Sequence, residues 1–216
     1  MSYYLFDFDG TLVDSMPTYI SAVLRVLDEN GISYEKDIVK IITPLGFIGT
    51  ANYYRDELGL DMSVEDAVAR MHANAIHGYT YDVPAKSNVI ETLRELKRRG
   101  DGLSVLTASP HATLDPCLMR LGIFELFDNV WSCEDFGTTK ADPEIYRMAA
   151  ERIGASVGEV IFLDDNYNAD LTAKNAGMRV IGVYDESSAQ YEDQIRKITD
   201  AYIKDFSELI DLKINF

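Results

Sequence analysis

The sequence predicts an α/β protein with a doubly wound, mostly parallel sheet and a helical domain inserted after the first strand. Three observations carry this. Short apolar runs at 3–8, 103–107, 160–164 and 179–184 read as buried strands. From residue 87 onward these runs alternate with helical patterns, the order expected of a parallel sheet. Residues 16–84 hold helical patterns but no clear strand. The expected division is a core of 1–15 and 85–216 around a helical insertion of 16–84.

The elements follow in order. Residues 3–8 (YYLFDF) are aromatic and aliphatic and end in Asp9-Gly10, a turn signal. In the next stretch Ile20, Val23, Leu24 and Leu27 recur at helical spacing, and Asn30-Gly31 stops the helix. Residues 37–60 are broken by Pro44, Gly46, Gly49 and Gly59, and 43–50 reads as an apolar loop. Ser63 caps a helix over 63–77, with Asp66 at the box position and Gly78 as the stop. After the junction at Val83-Pro84, helices are expected at 87–99, 111–121, 143–153 and 168–176. Strands are expected at 103–107, near 129–133, at 160–164, at 179–184 and near 201–206, with a helix after the last.

Composition narrows the function classes. Hydrophobic residues at 47% and charged residues at 26% suit a folded globular chain. No stretch has the apolar length of a membrane span, and no basic-then-apolar leader opens the chain. Cys117 and Cys133 lie outside any C-x-x-C or Cys/His cluster, so neither zinc nor a disulfide framework is expected, and a cytoplasmic setting is. A net charge of −16 opposes binding to nucleic acid and to anionic membranes. An anionic substrate would need a local cation.

In an open α/β sheet, ligands bind beyond the carboxyl ends of the strands. The first strand delivers Asp7 and Asp9, whose i, i+2 spacing puts them on one face of a strand. The second delivers Thr107-Ala108-Ser109-Pro110, a hydroxyl and free amides suited to an anion. The strand at 160–164 delivers Asp164-Asp165, and Lys140 precedes Ala141-Asp142-Pro143 at a helix start. Each piece has an ordinary reading on its own: a turn, a helix cap, a solvated lysine. Together they place four carboxylates, a hydroxyl and a lysine in one crevice. Carboxylates so gathered repel each other unless a cation sits among them, and oxygen-only ligands favour Mg²⁺. Mg²⁺ would also bridge an acidic protein to a phosphate.

These motifs resemble those of the haloacid dehalogenase (HAD) superfamily, in its phosphatase branch with a helical cap after the first strand, the phosphoglycolate phosphatase and β-phosphoglucomutase-like proteins. The D-x-D-G-T motif stands as Asp7-Phe8-Asp9-Gly10-Thr11, and the second-motif hydroxyl as Thr107 in LTAS. The lysine is Lys140 in KADPEIY, and the acidic pair is Asp164-Asp165 in VIFLDDNYNAD, with Ala176-Gly177-Met178 beyond. The resemblance covers nearly the whole chain. It implies that Asp7 is the nucleophile, forming an aspartyl-phosphate, and that Asp9 is the general acid and then the base. It implies Mg²⁺ ligation by Asp7, the Asp9 carbonyl, Asp165 and Asp164. Thr107 and Lys140 would grip the phosphoryl group, with Ala108 and Ser109 beside it. The partner implied is a small phosphorylated metabolite of the phosphoglycolate or sugar-phosphate type.

Some positions depart from the family pattern. Ala108 replaces an asparagine, Ala141 replaces a proline, and Asp164 stands where glycine is common. A further acid is often found four residues after Asp165; that position is Ala169, with the unassigned Asp170 one later. A phosphomutase also keeps Asp9 and is the nearest alternative. A receiver-like signalling domain has its acid pair first and its phosphorylated aspartate later, the reverse of this order. A non-catalytic relative would typically lack an acid or the lysine. In the insertion, Arg55, Arg70, His72 and His77 could reach substrate, but solvated positions on helix surfaces are the better reading of all four. His111, just past the Thr107 turn, is another candidate.

Overall fold

The computed structural model describes residues 1–212. The chain divides into two compact units, Met1–Asp14 together with the chain from Pro84 onward, and Ser15–Val83.

The first unit is built on a six-stranded, all-parallel sheet of order β3-β2-β1-β4-β5-β6. Its strands are β1 (Tyr3–Phe6), β2 (Gly102–Thr107), β3 (Asn129–Ser132), β4 (Val160–Asp164), β5 (Arg179–Val183) and β6 (Ala201–Ile203). The central strands are buried on both faces, which is why their sequences run apolar without alternation. Leu5, Phe162 and Val180 share one face and pack with Tyr146, Ala149 and Ala173. Phe6 points to the other face, where its ring meets those of Phe127 and Phe206. The order of the strands follows from β1, which pairs with β2 on one side and β4 on the other. The chain winds outward from β1 through β2 to β3, then crosses to β4 on the other side of β1, and such a reversal opens a crevice at the carboxyl end of β1.

The second unit is helical: α1 (Met16–Glu29), α2 (Ile38–Ile42), α3 (Gly46–Leu58) and α4 (Val64–Tyr81). Their apolar faces enclose Val23, Leu27, Tyr54, Met71 and neighbours. The expected loop at 43–50 is instead a 3-10 turn, Thr43–Leu45, leading into α3. Glycines there weaken helix propensity, but burial of Thr50, Ala51 and Tyr54 outweighs it. Nor does Gly78 end α4. A Cβ at that position would lie 2.3 Å from Thr18 Cγ2, so glycine serves there as a point of close approach between α4 and α1.

In the first unit the helices are α5 (Val89–Arg98), α6 (His111–Arg120), α7 (Glu144–Ile153), α8 (Tyr167–Ala176) and α9 (Glu192–Ile198). The helix expected after the last strand is a 3-10 turn, Phe206–Ile210. Among the described residues, no helix is long and apolar enough to cross a membrane.

Candidate functional site

Strand register positions the acids. Phe6 is level with Leu163, so Asp7 and Asp164 each stand one residue beyond that level. The Asp7 N–H donates to the Leu163 carbonyl at 2.8 Å, holding Asp7 beside β4 after β1 ends. Carboxylate oxygens of Asp7, Asp164 and Asp165 all lie within 4.8 Å of one another, and all three residues are buried.

Lys140 arrives from the loop before α7. Its Nζ donates to Asp164 Oδ2 at 2.8 Å and to Asp7 Oδ1. The Tyr146 hydroxyl holds that loop by donating to the Lys140 carbonyl, and it also bonds the Ala169 carbonyl in α8, 3.1 Å in each case. Burial pushes the Lys140 ammonium down, but the charges of Asp164 and Asp7 prevail and hold it well above its ordinary value. Burial also raises the Asp7 carboxyl; Lys140 opposes this, while Asp164 and Asp9 reinforce it. Asp165 rises well above the usual carboxylate range through burial first, then the charges of Asp164, Asp7 and Asp185. Three buried carboxylates face one ammonium. An oxygen-only donor set with that excess of negative charge fits a hard divalent cation, and Asp7, Asp164 and Asp165 are the residues able to hold it.

Asp9 takes a different direction. The strand ends at Phe6, so the pleat expected to align Asp7 with Asp9 does not reach Asp9. The Asp9 carboxylate accepts from Ser109 Oγ at 2.5 Å and lies outside the three-carboxylate cluster. Thr107 is buried at the end of β2, its Oγ1 accepting from the Ser109 N–H at 3.1 Å, which shapes the turn containing Ala108. Gly10 has φ +74°, and a Cβ there would lie 2.7 Å from the Asp165 carboxyl, so the turn after Asp9 packs directly on Asp165.

Other candidates are occupied elsewhere. Both ring nitrogens of His111 face acids, Asp115 at 2.8 Å and Asp135 at 2.9 Å. In the helical unit Arg55 pairs with Asp56 and Arg70 with Glu29. His72 meets Phe47 edge-on, and His77 lies against Tyr81. Two further acids and a lysine have no role in the sequence reading, which names Asp170 without assigning it and does not single out Lys86 or Asp185. Asp170 is fully buried in α8 and neither oxygen has a hydrogen-bond partner. Lys86 and Asp185 form a buried pair at 3.0 Å. Asp170 stood one residue from a family position, which was a signal; nothing local marks Lys86 or Asp185.

The chain is similar to known proteins over most of its length. The family described as haloacid dehalogenase-like hydrolase matches residues 4–183. The pyrophosphatase PpaX of Bacillus velezensis is 34% identical over 181 residues, covering 83% of this chain and 81% of that one. A phosphoglycolate phosphatase of Psychrobacter arcticus is 27% identical over 221 residues, covering 96% and 93%. Among solved structures, a Thermotoga maritima protein provisionally named a β-phosphoglucomutase superposes with a TM-score of 0.86 at 24% identity, covering 99% of this chain and 100% of that one.

Proposed function

The chain belongs to the haloacid dehalogenase-like hydrolases, and on that premise we propose that it is a phosphatase acting on a small phosphate monoester through Asp7. The observation that carries this reading is the convergence of Asp7, Asp164, Asp165 and Lys140 at the carboxyl ends of neighbouring strands.

In this reading an Asp7 oxygen attacks phosphorus. An aspartyl-phosphate forms as the bond to the leaving oxygen breaks. Asp9 donates a proton to that oxygen, then takes one from the water that attacks the aspartyl-phosphate, releasing phosphate and restoring Asp7. Ser109 holds the Asp9 carboxylate against the Thr107 turn while it does so. Lys140, charged and buried, offsets negative charge on the transferring group. Asp7, Asp164 and Asp165, with the Asp9 carbonyl, would hold Mg²⁺, which when bound neutralises phosphoryl oxygens beside these acids. Thr107, Ala108 and Ser109 would bind the phosphoryl oxygens through the turn they form. The substrate class is a phosphoglycolate-like or sugar-phosphate ester.

The test is phosphate release from a panel of small phosphomonoesters, with Mg²⁺ and with EDTA. Turnover should require the metal, and Asp7→Asn should abolish it while the circular dichroism spectrum is unchanged. Wild-type turnover by Asp7→Asn would overturn the proposal.

A further inference from the structure

Lys86 lies in the segment that re-enters the sheet unit, remote in sequence from every residue of the site. Its backbone N–H donates to the Leu12 carbonyl at 3.0 Å. Its Nζ donates to the Gly10 carbonyl at 2.6 Å, to the Tyr184 carbonyl, and to Asp185 Oδ2 at 3.0 Å. An ammonium has three N–H donors, and all three are used. Asp185 is itself held, since its Oδ1 accepts from the Ser187 N–H at 2.9 Å and from the Ser187 hydroxyl at 2.5 Å. The Lys86 side chain is 17% exposed and that of Asp185 7%, so the pair is shielded from water.

These bonds join two parts of the sheet unit: the turn after β1 and the end of β5. The turn carries Asp9 immediately before Gly10, and Gly10 packs on the Asp165 carboxyl with no room for a Cβ. The Thr11 hydroxyl reaches Asp165 Oδ1 at 3.5 Å. The Gly10 carbonyl is part of the Gly10–Thr11 peptide, so it is tied to Thr11 on one side and, through the Gly10 Cα that packs on Asp165, to Asp9 on the other.

We propose that Lys86 is a positioning residue: its ammonium latches the Gly10 carbonyl to the end of β5, and so sets how tightly the carboxylate site binds a divalent cation and where Asp9 stands. This rests on the reading of the site given above. Three acceptors converge on one nitrogen, a geometry that suits a compact ammonium; the planar guanidinium of arginine spreads its donors over three nitrogens. Arginine should therefore not restore the latch.

The test uses the full chain as Lys86→Met, Lys86→Arg and Asp185→Asn. Lys174→Met is the control, removing a surface pair with Asp200 distant in sequence from the turn. Three readouts are taken: amide hydrogen exchange of segment 8–13, Mg²⁺ binding by calorimetry without substrate, and kcat and KM on p-nitrophenyl phosphate. Lys86→Met should speed exchange in segment 8–13 and weaken Mg²⁺ binding by about tenfold or more, as loss of a group that orients metal ligands does. The same variant should lower kcat with KM little changed. Lys86→Arg should resemble Lys86→Met, Asp185→Asn should fall between them and wild type, and the control should change none of the three. If Lys86→Met does not fold, Asp185→Asn and Lys86→Arg carry the decision. Wild-type exchange and Mg²⁺ affinity in the Lys86 variants would overturn the proposal, even if thermal stability fell. Failure of the phosphatase reading would be seen separately, as wild-type turnover by Asp7→Asn; exchange in segment 8–13 would still judge the latch.

Discussion

Lys140 Nζ stands 2.8 Å from Asp164 Oδ2, across 24 residues of chain and almost entirely out of water. The lysine also bonds Asp7, so one ammonium is shared between the ends of two adjacent strands. Removing it would leave buried carboxylates without their counter-charge. Lys140→Ala is expected to cost about 3–5 kcal/mol of stability near neutral pH in EDTA, the range for breaking a buried pair. The sign with pH follows from the raised Asp7 and Asp165 carboxyls. Their favourable contribution is complete below the ordinary carboxylate pKa and is lost as pH rises through the folded values. The deficit of the variant should thus narrow on acidification. Urea denaturation of both proteins at several pH values checks this.

Gly10→Ala tests the turn. The residue would need φ +74° and would push a Cβ to 2.7 Å from Asp165. The left-handed conformation alone costs about 1–2 kcal/mol, and the clash displaces a carboxylate proposed to bind metal. Lower thermal stability and weaker Mg²⁺ binding by calorimetry should appear together.

Asp170→Asn should stabilise where Lys140→Ala destabilises, although the pH dependence of Asp170 has the same sign as that of Asp7 and Asp165. Its carboxyl is buried without a hydrogen-bond partner, and burial, then Asp164 and Asp165, raise it well above the usual range. Such a group destabilises the fold increasingly as pH rises above about 3.9, the ordinary value. Asp170→Asn should stabilise the protein in EDTA by about 1 kcal/mol or more at neutral pH. The gain should vanish near pH 4. Denaturant midpoints for the pair at the two pH values decide it.

His111 bridges Asp115 in its own helix and Asp135 beyond β3. Hydrogen bonds that its ring N–H groups donate to those two acids raise its pKa, against a smaller effect of burial. A raised histidine stabilises fully below its unfolded value and loses that contribution as pH rises through the folded one. The imidazole is 38% exposed, so screening holds the effect to less than about 1 kcal/mol. His111→Ala should be measurably less stable than wild type near pH 6, and the gap should close near pH 9 and in high salt.

The sheet was legible because parallel strands buried on both faces leave unbroken apolar runs, as at 160–164. The helix over 46–58 was not, because its glycines argue locally against a helix that tertiary burial imposes. The acids were legible because Asp7 directly follows β1 and Asp164-Asp165 straddle the end of β4, and a parallel sheet sends all such ends to one edge.

What the sequence determined by itself is therefore the αβ order and the residue types at each strand end, since both are properties of neighbouring positions. What only tertiary structure decided is which groups share charge: Lys140 between Asp7 and Asp164, Ser109 on Asp9, and Lys86 on the Gly10 carbonyl. Those pairings depend on register and on loops meeting across 76 to 133 residues of chain, with the nearer Lys140–Asp164 pair also set by the fold. Local periodicity carries no record of such distances.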